Sequence, residues 1–189
     1  MISYGKHFID QDDIKNVTTS LKSKHITQGP NVVLFEDKIK KIFNAKGAAV
    51  VSSGTAALHL SGIALNWRPN DIVLTVPLTF IATANAVLYS GAKLEFIDID
   101  EKTLNIDLKL LEKKIKDLRK KKKKIKSLIA VDYAGNPCEW EDIKYLSKKY
   151  RFSVINDNCH AIGSKYKNLI GYAVKYADLV THSYHAVKN

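Results

Sequence analysis

The sequence predicts an α/β fold, a mostly parallel sheet flanked by helices, and three observations predict it. Short apolar runs alternate with longer stretches whose apolar residues recur at helical spacing. Glycines and an aspartate mark several of the boundaries, among them Gly47, Gly91 and Asp107. With 189 residues, 46% of them apolar, the chain can bury the core of one ordinary domain.

Each element has its own justification. The first thirty residues are less regular, and Gly29-Pro30 interrupts them. They read as an arm over residues 1–30, ahead of a body over 31–189. Residues 47–53, "GAAVVSS", have the Val/Ala content and bounding glycine of a buried strand. "TAALHLSGIALNW" then repeats at helical spacing. "DIVLTV" is strand-like, and "FIATANAVLYSG" is a helix closed by Gly91. "KLEFIDID" alternates as a strand does, and "DLKLLEKKIKDLRK" is an amphipathic helix with Asp107 near its start. "IKSLIAVDY", "FSVIND" and "ADLVTHS" supply three more strands, and "EWEDIKYLSKKY" one more helix. Strands separated by helices imply crossover units, whose ligands sit outside the carboxyl ends of the strands.

Composition removes several function classes. No run of 18 or more apolar residues exists, so no membrane span is expected. The first residues carry neither an apolar stretch nor a small-residue cleavage site, so a secretory leader is not expected. Cys138 and Cys159 form no CxxC pair and read as reduced thiols of a cytoplasmic protein, without a zinc site. Much of the net charge of +11 lies in residues 113–126, "KKIKDLRKKKKKIK". That run has no interleaved aromatics or glycines. It reads as a solvated helix end, with phosphate backbones as the alternative partner, and nucleic acid is not the expected one.

Four groups fall just past strand ends. Gly54 and Thr55 open a helix, where backbone N–H groups and the helix dipole suit an anion. An ordinary N-cap is the alternative. No Gly-Lys-Ser/Thr follows, so this is not a P-loop, and the absent GxGxxG argues against a nicotinamide dinucleotide. Phe80 could cover a flat ligand or belong to the core. Asp157 at a buried strand end needs a cationic or hydrogen-bonding partner, unless it merely caps a turn. Lys188 follows the last strand with Ser183 and His185, and an amine there can condense with an aldehyde, although a surface lysine is the commoner case. Together these are a phosphate cradle, an aromatic lid, an acid for a ring nitrogen and an amine for an aldehyde. That inventory meets the needs of pyridoxal 5′-phosphate.

Seven stretches then carry a resemblance: "ITQGPNVVLFE", "VVSSGTAALHLS", "PLTFIATANAVLYSGA", "FIDIDEKTLNID", "VDYAGNP", "NDNCHAIGSKY" and "DLVTHSYHAVK". They run in order over nearly the whole chain, which resembles the N-terminal half of a DegT/DnrJ/EryC1/StrS sugar aminotransferase. The resemblance implies a fold-type I large domain, truncated, with the C-terminal small domain absent. It implies pyridoxal 5′-phosphate as cofactor, Lys188 as the Schiff-base lysine and Asp157 as the partner of the pyridine nitrogen. Gly54, Thr55 and Ser183 would bind its phosphate, Phe80 would stack on the ring, and His160 would lie near its 3′-oxygen. Thr27 and Gln28 would border the sugar. The implied reaction moves an amino group from an amino acid such as glutamate to C4 of a UDP-linked 4-keto-6-deoxy-HexNAc sugar, for surface polysaccharide or flagellin glycan. The implied assembly is a homodimer. Relatives often have an acidic residue before the motif aspartate and small apolar ones after it; here Asn156 precedes and Asn158-Cys159 follow. The short length leaves a second expectation, an inactive remnant or one half of a split enzyme.

Overall fold

A computed structural model describes residues 7–188. The first six residues of the expected arm, and Asn189, lie outside it. Five strands form one parallel sheet: β1 (Ile72–Thr75), β2 (Lys93–Phe96), β3 (Ile125–Val131), β4 (Ser153–Asp157) and β5 (Leu179–Thr181). Their order is β2-β1-β3-β4-β5. The chain therefore starts inside the sheet, steps outward to β2, then crosses back past β1 to β3. Every predicted strand but one is present, each trimmed at one or both ends.

The exception is 47–53. It is irregular, and Val50 is 43% exposed. A strand-like composition still needs a ladder partner. Here the Val50 N–H donates instead to Glu36 Oε1 at 2.8 Å.

Helices α1 (Gln11–Leu21) and α2 (Pro30–Phe43) precede the sheet. Helices α3 (Gly54–Ala64), α4 (Ile81–Tyr89), α5 (Leu108–Lys120), α6 (Trp140–Tyr150) and the short α7 (Tyr172–Tyr176) interleave with it. Within the arm read as irregular, α1 exists because Asp10 accepts from Asp12 N and Asp13 N while Asp13 bonds back to the Asp10 N–H, a full capping box. It buries none of its residues. Asp107 caps α5 as expected, accepting from Lys109 N and Leu110 N. Gly91 stops α4 at φ 72°, where a side chain would be strained.

Strand alternation divides the core between the two faces. Val73, Ile129 and Ile155 pack with Leu58, Trp67, Ala82, Ala86 and Val87 from the α3 and α4 side. Ile72, Leu74, Leu128, Ala130 and Val154 pack with Leu111, Ile115, Trp140, Ile143 and Tyr172 from the α5, α6 and α7 side. Position parity thus decides which face a residue at a strand end serves. Asp157 goes with Ile155 and faces α3 and α4, whereas Asn156 goes with Val154 and faces the opposite layer.

Candidate active site

The site begins with Asp157, the last residue of β4, only 5% exposed. Its Oδ2 accepts from Thr83 Oγ1 at 2.8 Å, and Thr83 is itself 2.8 Å from Thr79 Oγ1. Its Oδ1 accepts from the Cys159 N–H at 3.3 Å. Among the described residues no Lys, Arg or His nitrogen pairs with it. A buried carboxylate held only by neutral donors is an incomplete arrangement, one that a cationic ring nitrogen would complete. Thr83 was not singled out from sequence. The available signal was a polar residue, now fully buried, in an otherwise apolar helix.

Beside it lies the start of α3. Ser53 caps that helix, its Oγ accepting from Ala56 N at 3.1 Å, so Gly54 and Thr55 occupy the first turn at the positive end of the dipole. A Cβ at Gly54 would sit 3.1 Å from Cys159 Sγ and 3.3 Å from Ser183 Cβ. The helix start, the turn after β4 and the segment after β5 are therefore packed edge to edge, and only glycine fits between them without displacement. This brings Gly54, Thr55 and Ser183 to one place, as an anion cradle requires.

Lys188 arrives from the turn after β5, where its N–H donates to His185 O at 2.9 Å. Its Nζ lies 2.8 Å from His160 Nε2 and 5.3 Å from the centre of the Phe80 ring. An ammonium has donors only, so the imidazole accepts. Burial, then the charge of Lys188, holds the His160 pKa below the ordinary range, while Asp157 opposes them. His160 thus touches the amine and feels the field of the carboxylate. Phe80, 60% exposed, stands at the mouth as the N-cap of α4. Thr27 and Gln28 are different. Both are exposed, Gln28 sits at φ 47°, and neither makes a hydrogen bond to this cluster among the described residues.

His182 supports the segment that delivers Lys188. Its ring stacks on Phe43 of α2, centroids 4.8 Å apart, and its Nδ1 is buried without a partner. Burial pushes its pKa down to about 4. A histidine whose folded value is depressed makes the fold lose stability as pH falls through the window from about 6.5 to about 4. His182→Phe keeps the stacking and removes the titration. Urea midpoints are expected to fall less on acidification in this variant, by up to about 3 kcal/mol of stability. Equal acid sensitivity in both proteins would refute the assignment.

A second carboxylate serves the opposite face. Asp132, fully buried just past β3, accepts five hydrogen bonds: Oδ1 from Cys138 N (2.8 Å) and Trp140 Nε1 (3.1 Å), Oδ2 from Asn156 Nδ2 (2.8 Å), Asn158 Nδ2 (2.9 Å) and Tyr172 OH (2.7 Å). Burial raises its pKa, and the Asn156, Cys138, Tyr172 and Asn158 donors counter that. The two asparagines that depart from the family pattern are therefore clamped to one oxygen, on either side of Asp157.

Fold and geometry together place a buried carboxylate, an amine and a helix start at the carboxyl ends of the strands. The chain belongs to the DegT/DnrJ/EryC1/StrS aminotransferase family, whose model matches residues 7–189. It is 44% identical over 189 residues to a UDP-4-amino-4,6-dideoxy-N-acetyl-β-L-altrosamine transaminase of Campylobacter jejuni, covering 100% of this chain and 48% of that protein. It is 35% identical over 189 residues to the spore coat polysaccharide biosynthesis protein SpsC of Bacillus subtilis, covering 100% of this chain and 46% of that one. Among solved structures it superposes on Helicobacter pylori PseC, an aminotransferase involved in the biosynthesis of pseudaminic acid. The TM-score is 0.87 at 34% identity, covering 98% of this chain and 48% of that one. The Streptococcus pneumoniae putative sugar aminotransferase Spr1654, in its PMP form, gives a TM-score of 0.88 at 27% identity, covering 99% and 49%. The chain spans about half the length of the curated relatives it matches.

Proposed function

We propose that this chain carries the cofactor-binding part of a pyridoxal 5′-phosphate-dependent nucleotide-sugar aminotransferase. The observation that supports the reading is the Lys188 amine 2.8 Å from His160, three residues past a buried Asp157 that no cation pairs with among the described residues. When bound, the cofactor supplies the electron sink for moving an amino group. The rest is done by residues of this chain. Lys188 would anchor the aldehyde and then carry the proton to and from the reacting carbon as base and acid. Asp157, oriented by Thr83, would keep the ring nitrogen protonated. The α3 start with Gly54, Thr55 and Ser183 would hold the phosphate. Phe80 would close one face of the ring, and His160 would hold the amine at 2.8 Å until it is needed. Thr27 and Gln28 would border the sugar.

The donor would be glutamate, and the acceptor C4 of a UDP-linked 4-keto-6-deoxy-HexNAc. The names of the C. jejuni and H. pylori relatives support that substrate class. The site would act in the cytoplasm. Residues 31–189 would form part of a large domain and 1–30 an arm, in an enzyme that dimerises when whole. A second reading is that this part acts only together with a chain supplying the remaining length of its relatives, or not at all. Both are tested by incubating the chain with pyridoxal 5′-phosphate, glutamate and the UDP-keto sugar, with and without a chain supplying the C-terminal half of a relative. Amino sugar in the mass spectrum is expected, either outright or only on mixing. No product under any condition, with the cofactor bound, would leave the remnant.

A further inference from the structure

The chain's excess positive charge is concentrated at the end of the sheet opposite the site just described. Seven of the eight residues at 119–126 are lysine or arginine. They run from the last turn of α5 into the start of β3, while Lys148 and Arg151 arrive from the end of α6. Lys124, Lys126, Lys148 and Arg151 line a cleft of about 460 Å³ at the amino ends of β3 and β4.

The ordinary account of such residues is that they offset helix ends and nearby acids. Two helix C-termini present about one elementary negative charge between them. Asp117 and Glu112 are engaged elsewhere, with Lys120 at 3.6 Å and Lys149 at 2.9 Å, while Asp178 lines the cleft itself and is paired with Lys144 at 3.7 Å. Asp178 also accepts the Val154 N–H. Among the described residues, Lys121, Lys122, Lys123, Lys124, Lys126, Lys148 and Arg151 have no ion-pair partner. Seven cations against about one charge leave a surplus that repels itself, so the fold alone does not account for it.

We propose that this cleft binds a small anion carrying several phosphate groups. A concave site suits a compact ligand better than a flat surface. The cations are mostly lysines, which meet phosphate as compact point charges. The one aromatic lining residue, Phe152, is 7% exposed and offers no face for a base to stack on. Lys121, Lys122 and Lys123, next to the cleft in the chain, raise the local potential that draws the anion in. The site lies at the opposite strand ends from Asp157 and does not depend on the aminotransferase reading.

Titration calorimetry with inorganic tripolyphosphate tests it. Saturable one-to-one binding is expected, weakening as salt is added. The quadruple variant Lys124→Gln, Lys126→Gln, Lys148→Gln, Arg151→Gln is expected to bind about tenfold or more weakly. The triple variant Lys121→Gln, Lys122→Gln, Lys123→Gln should lose about threefold or less. The single exposed change Lys148→Gln, with no fold to disturb, should lose a measurable part of the affinity. Absorbance of cofactor bound at the other strand ends should be the same in all four proteins. Absent or non-saturable binding, or equal losses in the quadruple and triple variants, would overturn the proposal. So would tighter binding to duplex RNA or to phosphatidylglycerol vesicles that survives the quadruple change.

Discussion

Asp157→Asn is expected to stabilise the cofactor-free chain and at the same time weaken its hold on pyridoxal 5′-phosphate. The buried carboxylate is held by neutral donors, among them the Thr83 hydroxyl and the Cys159 N–H, with no ion-pair partner among the described residues. Keeping an unpaired charge there costs the empty protein free energy, and an amide of the same shape removes that cost, a gain of about 1 kcal/mol. With cofactor present the sign reverses. The amide cannot pair with a protonated ring nitrogen, and losing a charge-assisted bond should cost about 10- to 100-fold in affinity. Thermal melting with and without pyridoxal 5′-phosphate reads both effects. A merely structural aspartate would give a destabilised empty chain and no change in the cofactor-induced shift.

Asp132 should behave in the opposite way. Its five donors are all buried or half-buried and have few alternative acceptors. Asp132→Ala would strand them and open a cavity, with an expected loss of about 3–5 kcal/mol in urea unfolding. That is a large share of the roughly 5–15 kcal/mol that holds a domain folded. Asp132→Asn keeps one acceptor oxygen but turns a donor toward Asn156 and Asn158, so an intermediate loss of about 2 kcal/mol is expected. Because both asparagines flank Asp157, these variants should also weaken cofactor binding without touching the cofactor. A loss under about 1 kcal/mol for Asp132→Ala would show that the network is dispensable.

The difference between these two carboxylates marks what the sequence could and could not tell. Asp157 and Lys188 stood out because each ends or follows a strand-like run, and period-two and period-3.6 patterns locate such runs. The strands β1, β3 and β4 are buried on both faces, as in a doubly covered parallel sheet. Asp132 also followed a strand, yet its partners lie 6 to 40 positions away. Nothing local announces a network assembled by tertiary packing. Thr83 escaped for the same reason, its partner being 74 residues distant. The misread strand at 47–53 is instructive in another way. Valine and alanine content reports fitness for a sheet surface, whereas strand formation needs a neighbour offering a ladder, and Val50 finds a glutamate side chain instead. The helix in the arm is set by a capping box of two aspartates, Asp10 and Asp13, in place of the usual Ser/Thr and Glu/Gln signature.

Borohydride reduction of the chain in the presence of pyridoxal 5′-phosphate, followed by peptide mass mapping, tests the site most directly. A single pyridoxyl phosphate group on Lys188, lost in Lys188→Ala, is the predicted result. Label spread over the many surface lysines, or retained in full when Lys188 is gone, would contradict it.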